Sequence, residues 1–441
     1  MSQLLKVRHL IFIGCIILGG NTAFADHPNQ GSLTLDQLLK EAADQNLEIQ
    51  EAAAQFKSSV LEKNSKSGPL LPQLSIEGGP LTTSFETEKN SGTALYGKAE
   101  WNLYRGGKDS GELEKLKIVS QLEQKRLDFV RSKISREISR VYYELLFLLE
   151  SSDLKRKAIE MNQDQMKLGK LKKSSGFTSS ADVIEFELRD ATLNSDLKML
   201  TQEVSEKSRE LSVLLGRKDS KTPLIVKGHL TRDSSINLNR DSLIAQLRTS
   251  NFDIAEAQAE IQISEMDKQI AKSGFLPSVD LEATYGKLAN EERVFAGNDN
   301  YSVALKVSVP LFSGLETLNQ TRSARAKVVA KTATASRKNL STLAEAENLF
   351  SRLGILNDRL NLEEKNLSKS EEYYKITLGE YRRGVKNSPD MVGASERLVD
   401  ARIRNLEYRK DYYLTKLKIY ELVSSHPTSY AQGTPAAVTE K

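Results

Sequence analysis

Cysteine occurs once in the 441 residues, at Cys15. Downstream of it there is no residue for a disulfide, a thiolate metal site or a cysteine nucleophile. Histidine occurs four times, as His9, His27, His229 and His426, and these positions have no ligand spacing. No nucleophile elbow, phosphate loop or metal motif accompanies them, so the sequence predicts no enzyme, no cofactor and no bound metal. Aromatic residues are scarce at 6%, with a single tryptophan, Trp101. A hydrophobic content of 39%, 28% charged residues and a mean hydropathy of -0.44 argue against one large globular core and for long solvated helices. Proline is missing between Pro80 and Pro223, and glycine between Gly111 and Gly169, so nothing punctuates a helix there. A formal charge of only +4 gives no reason to expect nucleic acid as a partner.

The amino terminus reads as an export signal. Lys6, Arg8 and His9 precede an apolar run at residues 10–18, and Ala23-Phe24-Ala25 supplies an A-x-A cleavage pattern before Asp26. The run is too short to cross a bilayer as a retained helix. Residues 1–25 are therefore expected to leave as a signal peptide. Lipidation at Cys15 is the weaker alternative, because Ile16, Ile17 and Leu18 still continue the run. Taking Lys6 and Arg8 from the 63 basic residues leaves 61 against 59 acidic ones, a balance of +2.

The clearest pattern is YSVALKVSVPLFSG at residues 301–314. Tyr301, Val303, Leu305, Val307 and Val309 alternate with Ser302, Ala304, Lys306 and Ser308. That is an amphipathic strand; Pro310 stops it, and Gly314 lets the chain turn into a long helical segment. Val279, Leu281, Ala283 and Tyr285 form a second such strand. Leu95, Ala99, Trp101 and Leu103 form a third, opposite Lys98, Glu100 and Asn102. Residues 74–85 are a weaker fourth, since Gly78, Gly79 and Pro80 interrupt them, and residues 86–93 read as a polar loop. Trp101 is either a packed core residue or an anchor at a membrane interface.

Helical periodicity covers most of the remainder. Residues 33–67 read as one helix ending at Gly68-Pro69. Ile134, Ile138, Val141, Leu145 and Leu148 follow the 4-3 spacing of a coiled-coil seam. A second seam runs through Leu343, Ala346, Phe350, Leu353, Leu360, Leu367, Tyr374, Leu378 and Tyr381, with Asn357, Glu364 and Glu371 in the same register. The chain also repeats itself. Asn46-Leu47-Glu48-Ile49 returns as Asn251-Phe252-Asp253-Ile254, and Leu71-Pro72 as Leu276-Pro277, both 205 residues on. Tyr104, Gly106, Gly176 and Asp182 return 208 residues on as Phe312, Gly314, Gly384 and Asp390, the extra three lying in a longer loop at residues 287–300. A constant offset with one local step indicates tandem duplication.

The expected layout follows. A first repeat at 26–238 holds a helix, a β-hairpin about 73–104, a long helical hairpin about 107–216 and an equatorial segment at 217–238. A second at 239–423 holds a helix, a hairpin about 278–312 and a helical hairpin about 315–423; residues 424–441 read as a disordered tail. Strands of ~9–11 residues suit a tilted membrane span. Four cannot close a barrel, since lipid tolerates no open edge and the smallest barrels have about eight strands. The chain is therefore expected to oligomerise, a dimer giving eight strands and a trimer twelve. A periplasmic coiled-coil scaffold without a channel is the competing reading.

In this order the motifs resemble the TolC-type outer-membrane efflux proteins over essentially the whole mature length. They are Leu276-Pro277, Val309-Pro310-Leu311-Phe312-x-Gly314, Leu211-x-x-Leu214-Leu215-Gly216, and the turns Gly176-Phe177-x4-Asp182 and Gly384-Val385-x4-Asp390. The resemblance implies an α+β membrane protein with duplicated halves: a homotrimeric β-barrel in outer-membrane lipid, continued by an α-helical barrel across the periplasm. It implies a passive exit duct of an efflux or type I secretion system, with a periplasmic membrane-fusion adaptor and an inner-membrane pump of RND, ABC or MFS type as partners. By position, Gly176, Phe177, Gly384 and Val385 become adaptor-contact tips, and Gly106, Pro310 and Gly314 strand-to-helix joints. Asp182, Tyr381, Lys386 and Asp390 become aperture residues, with a Lys386–Asp182 bridge as latch and Asp390 as an acidic ring. Three departures imply a looser latch than the family pattern: lysine for arginine at Lys386, Gly393 for a second aspartate, and Ala181 for a hydroxyl partner of Tyr381.

Overall fold

A computed structural model describes residues 33–85, 88–218, 224–232, 239–288 and 300–423. The expected signal peptide and carboxy-terminal tail, most of the long second-hairpin loop and parts of the expected equatorial segment lie outside them.

The first copy begins with helices α1 (Leu35–Gln45) and α2 (Leu47–Ser65), followed by a 3-10 turn at Gly68–Leu70. Strands β1 (Gln73–Phe85) and β2 (Glu88–Arg105) then lead into α3 (Lys108–Ser174) and α4 (Ser180–Leu214). The second copy repeats the order as α5 (Arg240–Ser250), α6 (Phe252–Ser273), β3 (Ser278–Leu288), β4 (Asn300–Ser308), α7 (Glu316–Arg383) and α8 (Ser388–Leu422). Helices α3 and α7, of 67 and 68 residues, each reach about 100 Å at ~1.5 Å per residue.

The single helix expected at 33–67 is two helices. Asn46 adopts an extended backbone and breaks the run, its side chain accepting from the Ile49 amide at 3.0 Å to cap α2. The same side chain donates to the Leu214 carbonyl at 2.7 Å, where α4 ends. Asn251 repeats both bonds, from the Ile254 amide at 3.0 Å and to the Leu422 carbonyl at 2.7 Å at the end of α8. Each asparagine is buried and joins an orphan donor to an orphan acceptor, since neither helix end has partners of its own.

The four strands form one antiparallel sheet in the order β1-β2-β3-β4, with edges at β1 and β4. Register places Leu74, Ala99, Ala283 and Val303 side by side, and likewise Ile76, Gly97, Tyr285 and Tyr301. The alternate rows hold Ser75, Lys98, Thr284 and Ser302, then Gln73, Glu100, Glu282 and Ala304. Side chains alternate across the pleat, so one face is an apolar ladder and the other polar. The apolar face stands open in the isolated chain: Leu74 and Ile76 are both 83% exposed. Residues 88–93, read from sequence as loop, pair with β1 through Phe85↔Glu88 and Pro80↔Thr93. Backbone pairing does not require apolar residues, and Pro80 is tolerated because β1 is an edge of this sheet. Trp101 is not core: it stands on the apolar side opposite Leu281, 39% exposed, with its ring N–H donating to the Leu70 carbonyl at 3.0 Å.

The core lies at mid-length of the helices. Ile134, Ile138, Val141 and Leu145 of the first seam pack with Leu38, Ala42, Leu211 and Leu215, and a parallel bridge Leu33↔Val226 straps the equatorial layer to them. In the second seam Ala346, Leu360 and Tyr381 are buried. The polar positions of that register are not simply wet: Arg232 takes Asn357 and Glu364 at 3.0 Å each, and Arg402 takes Glu371 at 3.0 Å. Among the described residues no helix is long and apolar enough to cross a membrane.

Candidate functional site

The far ends of the two helical hairpins lie together. Helix α3 ends in a turn at Gly176 (φ 74°), closed by the Phe177 amide donating to the Lys172 carbonyl at 2.9 Å. Helix α7 ends at Gly384 (φ 81°), closed by the Val385 amide on the Glu380 carbonyl at 3.0 Å. Positive φ is what glycine tolerates, and it turns the chain within a few residues. Phe177 is left 84% exposed and Val385 69%. Each return helix then starts with a capping box, Ser179 with Asp182 for α4 and Asn387 with Asp390 for α8.

Two side chains of the first hairpin reach the second. The Lys172 ammonium stands 4.1 Å from the Tyr381 ring centroid and donates to the Tyr381 carbonyl at the last turn of α7. The Asp182 carboxylate accepts from the Ser388 amide at 3.3 Å, at the first turn of α8. A cation thus sits on the negative end of one helix and an anion on the positive end of its neighbour. Asp182 also accepts from Thr178 Oγ1 at 2.5 Å and from Ser179 at its amide (3.1 Å) and hydroxyl (3.0 Å). The Thr178 hydroxyl, then these further donors against a desolvation cost, hold the Asp182 carboxyl well below the usual carboxylate range. Desolvation pushes the Lys172 ammonium down, opposed by the charge of Asp182.

Tyr381 is 1% exposed, edge-on to Phe186 at 6.0 Å between ring centroids and packed with Met391 and Val392. Burial raises its phenol. Its hydroxyl and that of Ser388, which interact, are both buried without a well-formed hydrogen bond among the described residues. The hairpins are tied further back by Gln165, which donates to Tyr374 Oη at 3.3 Å and Ser395 Oγ at 3.1 Å, and by the Arg189–Glu396 ion pair at 2.7 Å.

Known proteins resemble this chain in sequence and in fold. A profile of the outer membrane efflux protein family matches residues 243–425. Outer membrane protein TolC of Vibrio cholerae is 18% identical over 406 residues, covering 89% of this chain and 90% of its own. Pyoverdine export outer membrane protein OpmQ of Pseudomonas aeruginosa is 18% identical over 418 residues, covering 91% and 87%. The outer-membrane channel OprN superposes with a TM-score of 0.81 at 17% identity, over 89% of this chain and 90% of its own. The profile match spans 183 of the 441 residues, and over about nine-tenths of the chain the fold is that of solved outer-membrane channels.

For the aperture residues expected from the family resemblance, the single chain shows these contacts. Within the chain Lys386 does not meet Asp182: its Nζ lies 3.9 Å from Asp390, one turn on in its own hairpin. Asp182 is already saturated by Thr178, Ser179 and Ser388 and needs no lysine. Within the chain the tie between the two hairpins is made by Lys172, Gln165 and Arg189. Sequence reading passed over Lys172 because it sits in the run Lys170-Leu171-Lys172-Lys173, which looks like a solvated face. At the opposite end, Gly106 and Gly107 (φ 64° and 79°) make the first strand-to-helix joint, braced by the Arg105 Nε–Asp109 bond at 2.8 Å. A Cβ on Gly106 would meet Ser273 O at 2.7 Å and Leu276 Cβ at 2.8 Å, so the joint packs against the turn entering β3. Gly314 (φ 62°) makes the second joint, where an added Cβ would meet no described residue within 4 Å, and Pro310 lies just beyond β4.

Proposed function

We propose that this chain forms the outer-membrane exit duct of a tripartite efflux or secretion assembly, conducting substrates passively across the periplasm and outer membrane. The observation that carries it is a four-stranded sheet, apolar on one face and unpaired at both edges, feeding directly into helical hairpins of about 100 Å. An apolar face and open edges are tolerable only when the face meets lipid and the edges meet other copies. Three chains supply twelve strands, and the hairpins continue the barrel as a tube. A coiled-coil scaffold would leave Leu74, Ile76, Tyr301 and Val303 in water. The test is fractionation followed by planar-bilayer recording: the protein should resist alkaline washing, need detergent for release, and give single-channel currents. Release by washing alone, or the absence of current, overturns the duct.

In this reading the exposed Phe177 and Val385, on their turns at Gly176 and Gly384, dock a periplasmic adaptor that links the duct to an inner-membrane pump. With Cys15 in the expected signal sequence, Val385→Cys carrying a photo-crosslinker in whole cells would be the one reactive thiol; capture of neighbouring copies alone argues against docking. Three copies of Asp390 ring the aperture, favouring and binding cations. Asp390→Ala should lower cation preference and cation block, and unchanged currents would remove the ring. Trp101 anchors the sheet at the membrane interface, and Gly106, Pro310 and Gly314 turn strands into helices there.

A further inference from the structure

One buried charge plays no part in the tips or the seams. Arg136 of α3 is 4% exposed, and among the described residues none of its three guanidinium nitrogens finds a hydrogen-bond acceptor. Its guanidinium carbon lies over the Phe129 ring, 5.8 Å from the centroid, a cation–π contact that leaves its N–H donors without an acceptor. Four residues on, Arg140 is fully engaged, with Glu144 at 3.0 Å and Glu210 at 2.7 Å. A guanidinium out of water without an acceptor is an anomaly that calls for a partner.

Arg136 borders a cavity of about 380 Å³ between α3, α7 and α8. At its rim stand Arg352 of α7 and Lys418 of α8, both exposed, with no ion pair among the described residues. The carboxylates around it are mostly occupied. Glu144 holds Arg140 and Lys207, Glu137 lies 3.8 Å from Lys133, and Asp411 lies 3.5 Å from Lys410. Glu421, which is exposed, and Glu137 both attract Arg136 through space without forming an ion pair with it. The groups left free are therefore three cations against one carboxylate.

We propose that this cavity binds a small oxyanion, a carboxylate or phosphate group, with Arg136 as the ligand at its floor and Arg352 and Lys418 at its rim. A planar guanidinium presents paired donors that match such groups in a bidentate way, and burial strengthens the contact. The pocket is built from three helices of one chain, so it is complete without a second copy, which favours a free solute. It opens about half a helical turn around α3 from Ile134, Ile138 and Val141, which face the equatorial layer. In a tube with that layer outside, the cavity faces the lumen; this last clause rests on the duct reading, and the binding itself does not.

Calorimetric titration of the detergent-solubilised full chain with inorganic phosphate and with citrate tests the proposal. One saturable site per chain is expected, weakened at least tenfold in Arg136→Gln and only a few-fold in Arg136→Lys. Should Arg136→Gln misfold, the rim variant Arg352→Glu/Lys418→Glu, at exposed positions, must also lose tenfold. Failure of the wild-type protein to bind either probe overturns the proposal, as does equal affinity in Arg136→Gln. If a carboxylate of a neighbouring copy fills the pocket, the wild type refuses both probes while Arg136→Gln melts at a lower temperature; this too overturns the free-solute site. Binding by a protein that gives no bilayer current upholds the site and removes the duct.

Discussion

Replacing Asn46 by alanine removes two bonds of different kinds at once. The Ile49 amide loses its cap acceptor at 3.0 Å, and the Leu214 carbonyl loses its donor at 2.7 Å. Loss of an asparagine cap costs about 1 kcal/mol, and leaving a buried carbonyl unpaired costs a further ~1–3 kcal/mol. The expected loss is therefore about 2–4 kcal/mol, since Asn46 is only 4% exposed and water cannot easily replace the bonds. Asn46→Ser separates the two contributions, because serine caps α2 but cannot reach and donate to α4; it should recover about 1 kcal/mol. Asn46→Asp keeps the acceptor but sets a carboxylate against the Leu214 carbonyl, and at neutral pH should be no better than alanine. Asn251→Ala should behave as Asn46→Ala does, since its bonds to Ile254 and Leu422 have the same lengths. The assay is urea unfolding followed by far-UV circular dichroism, at fixed protein concentration because oligomer stability depends on it. A change below about 0.5 kcal/mol for Asn46→Ala, or a serine variant equal to wild type, refutes the two-ended tie.

Leu315, at the start of α7, holds a left-handed backbone (φ 68°) where the first copy has Gly107 (φ 79°). Leu315→Gly should therefore stabilise the chain by about 1 kcal/mol in the same unfolding assay, and any destabilisation contradicts the strain argument. Asp182 has a folded pKa below its unfolded one, so its contribution is complete at neutral pH and is lost as pH falls below about 4 toward the folded value. Limited proteolysis at the tips should accelerate on acidification, and Asp182→Asn should be fast already at pH 7; a pH-independent wild type would refute the bond to Ser388. Duplication also predicts an intermolecular contact: as Gly106 packs on Leu276 within the chain, Gly314 should pack on Leu71 of the partner subunit. Gly314→Ala, whose methyl would meet no described residue within 4 Å but whose φ of 62° strains any side chain, should weaken the oligomer on native gels by more than it destabilises the subunit in urea, and an unaffected oligomer would count against that symmetry.

Much of the architecture was legible because duplication writes each element twice. The offset of 208 residues carries Lys108 to Glu316 and Ser180 to Ser388, the first residues of four helices, and the offset of 205 carries Gln73 to Ser278 at two strands. The breaks at Asn46 and Asn251 were not read, although both lie in the repeated motif. One asparagine in an alanine-rich amphipathic run looks like surface, and its second partner is 168 residues away. The first hairpin looked weak through Gly78, Gly79 and Pro80, since propensity is judged locally while an edge position is known only from the sheet. Lys172 and Arg136 escaped for a related reason: a charge is expected in water, and only packing reveals one placed on a helix terminus or beneath a cavity.

The open edges at β1 and β4 also bear on inheritance. In the duct reading, a chain that cannot pair through β4 still offers a sound β1 to its neighbour, so it enters a ring it cannot complete. With equal amounts of normal and defective chains mixing at random in a three-membered ring, roughly one ring in eight contains only normal chains. Edge-strand lesions in this protein should therefore be dominant over a wild-type copy expressed beside them. Lesions that merely unfold the chain, and so never reach the ring, should be recessive.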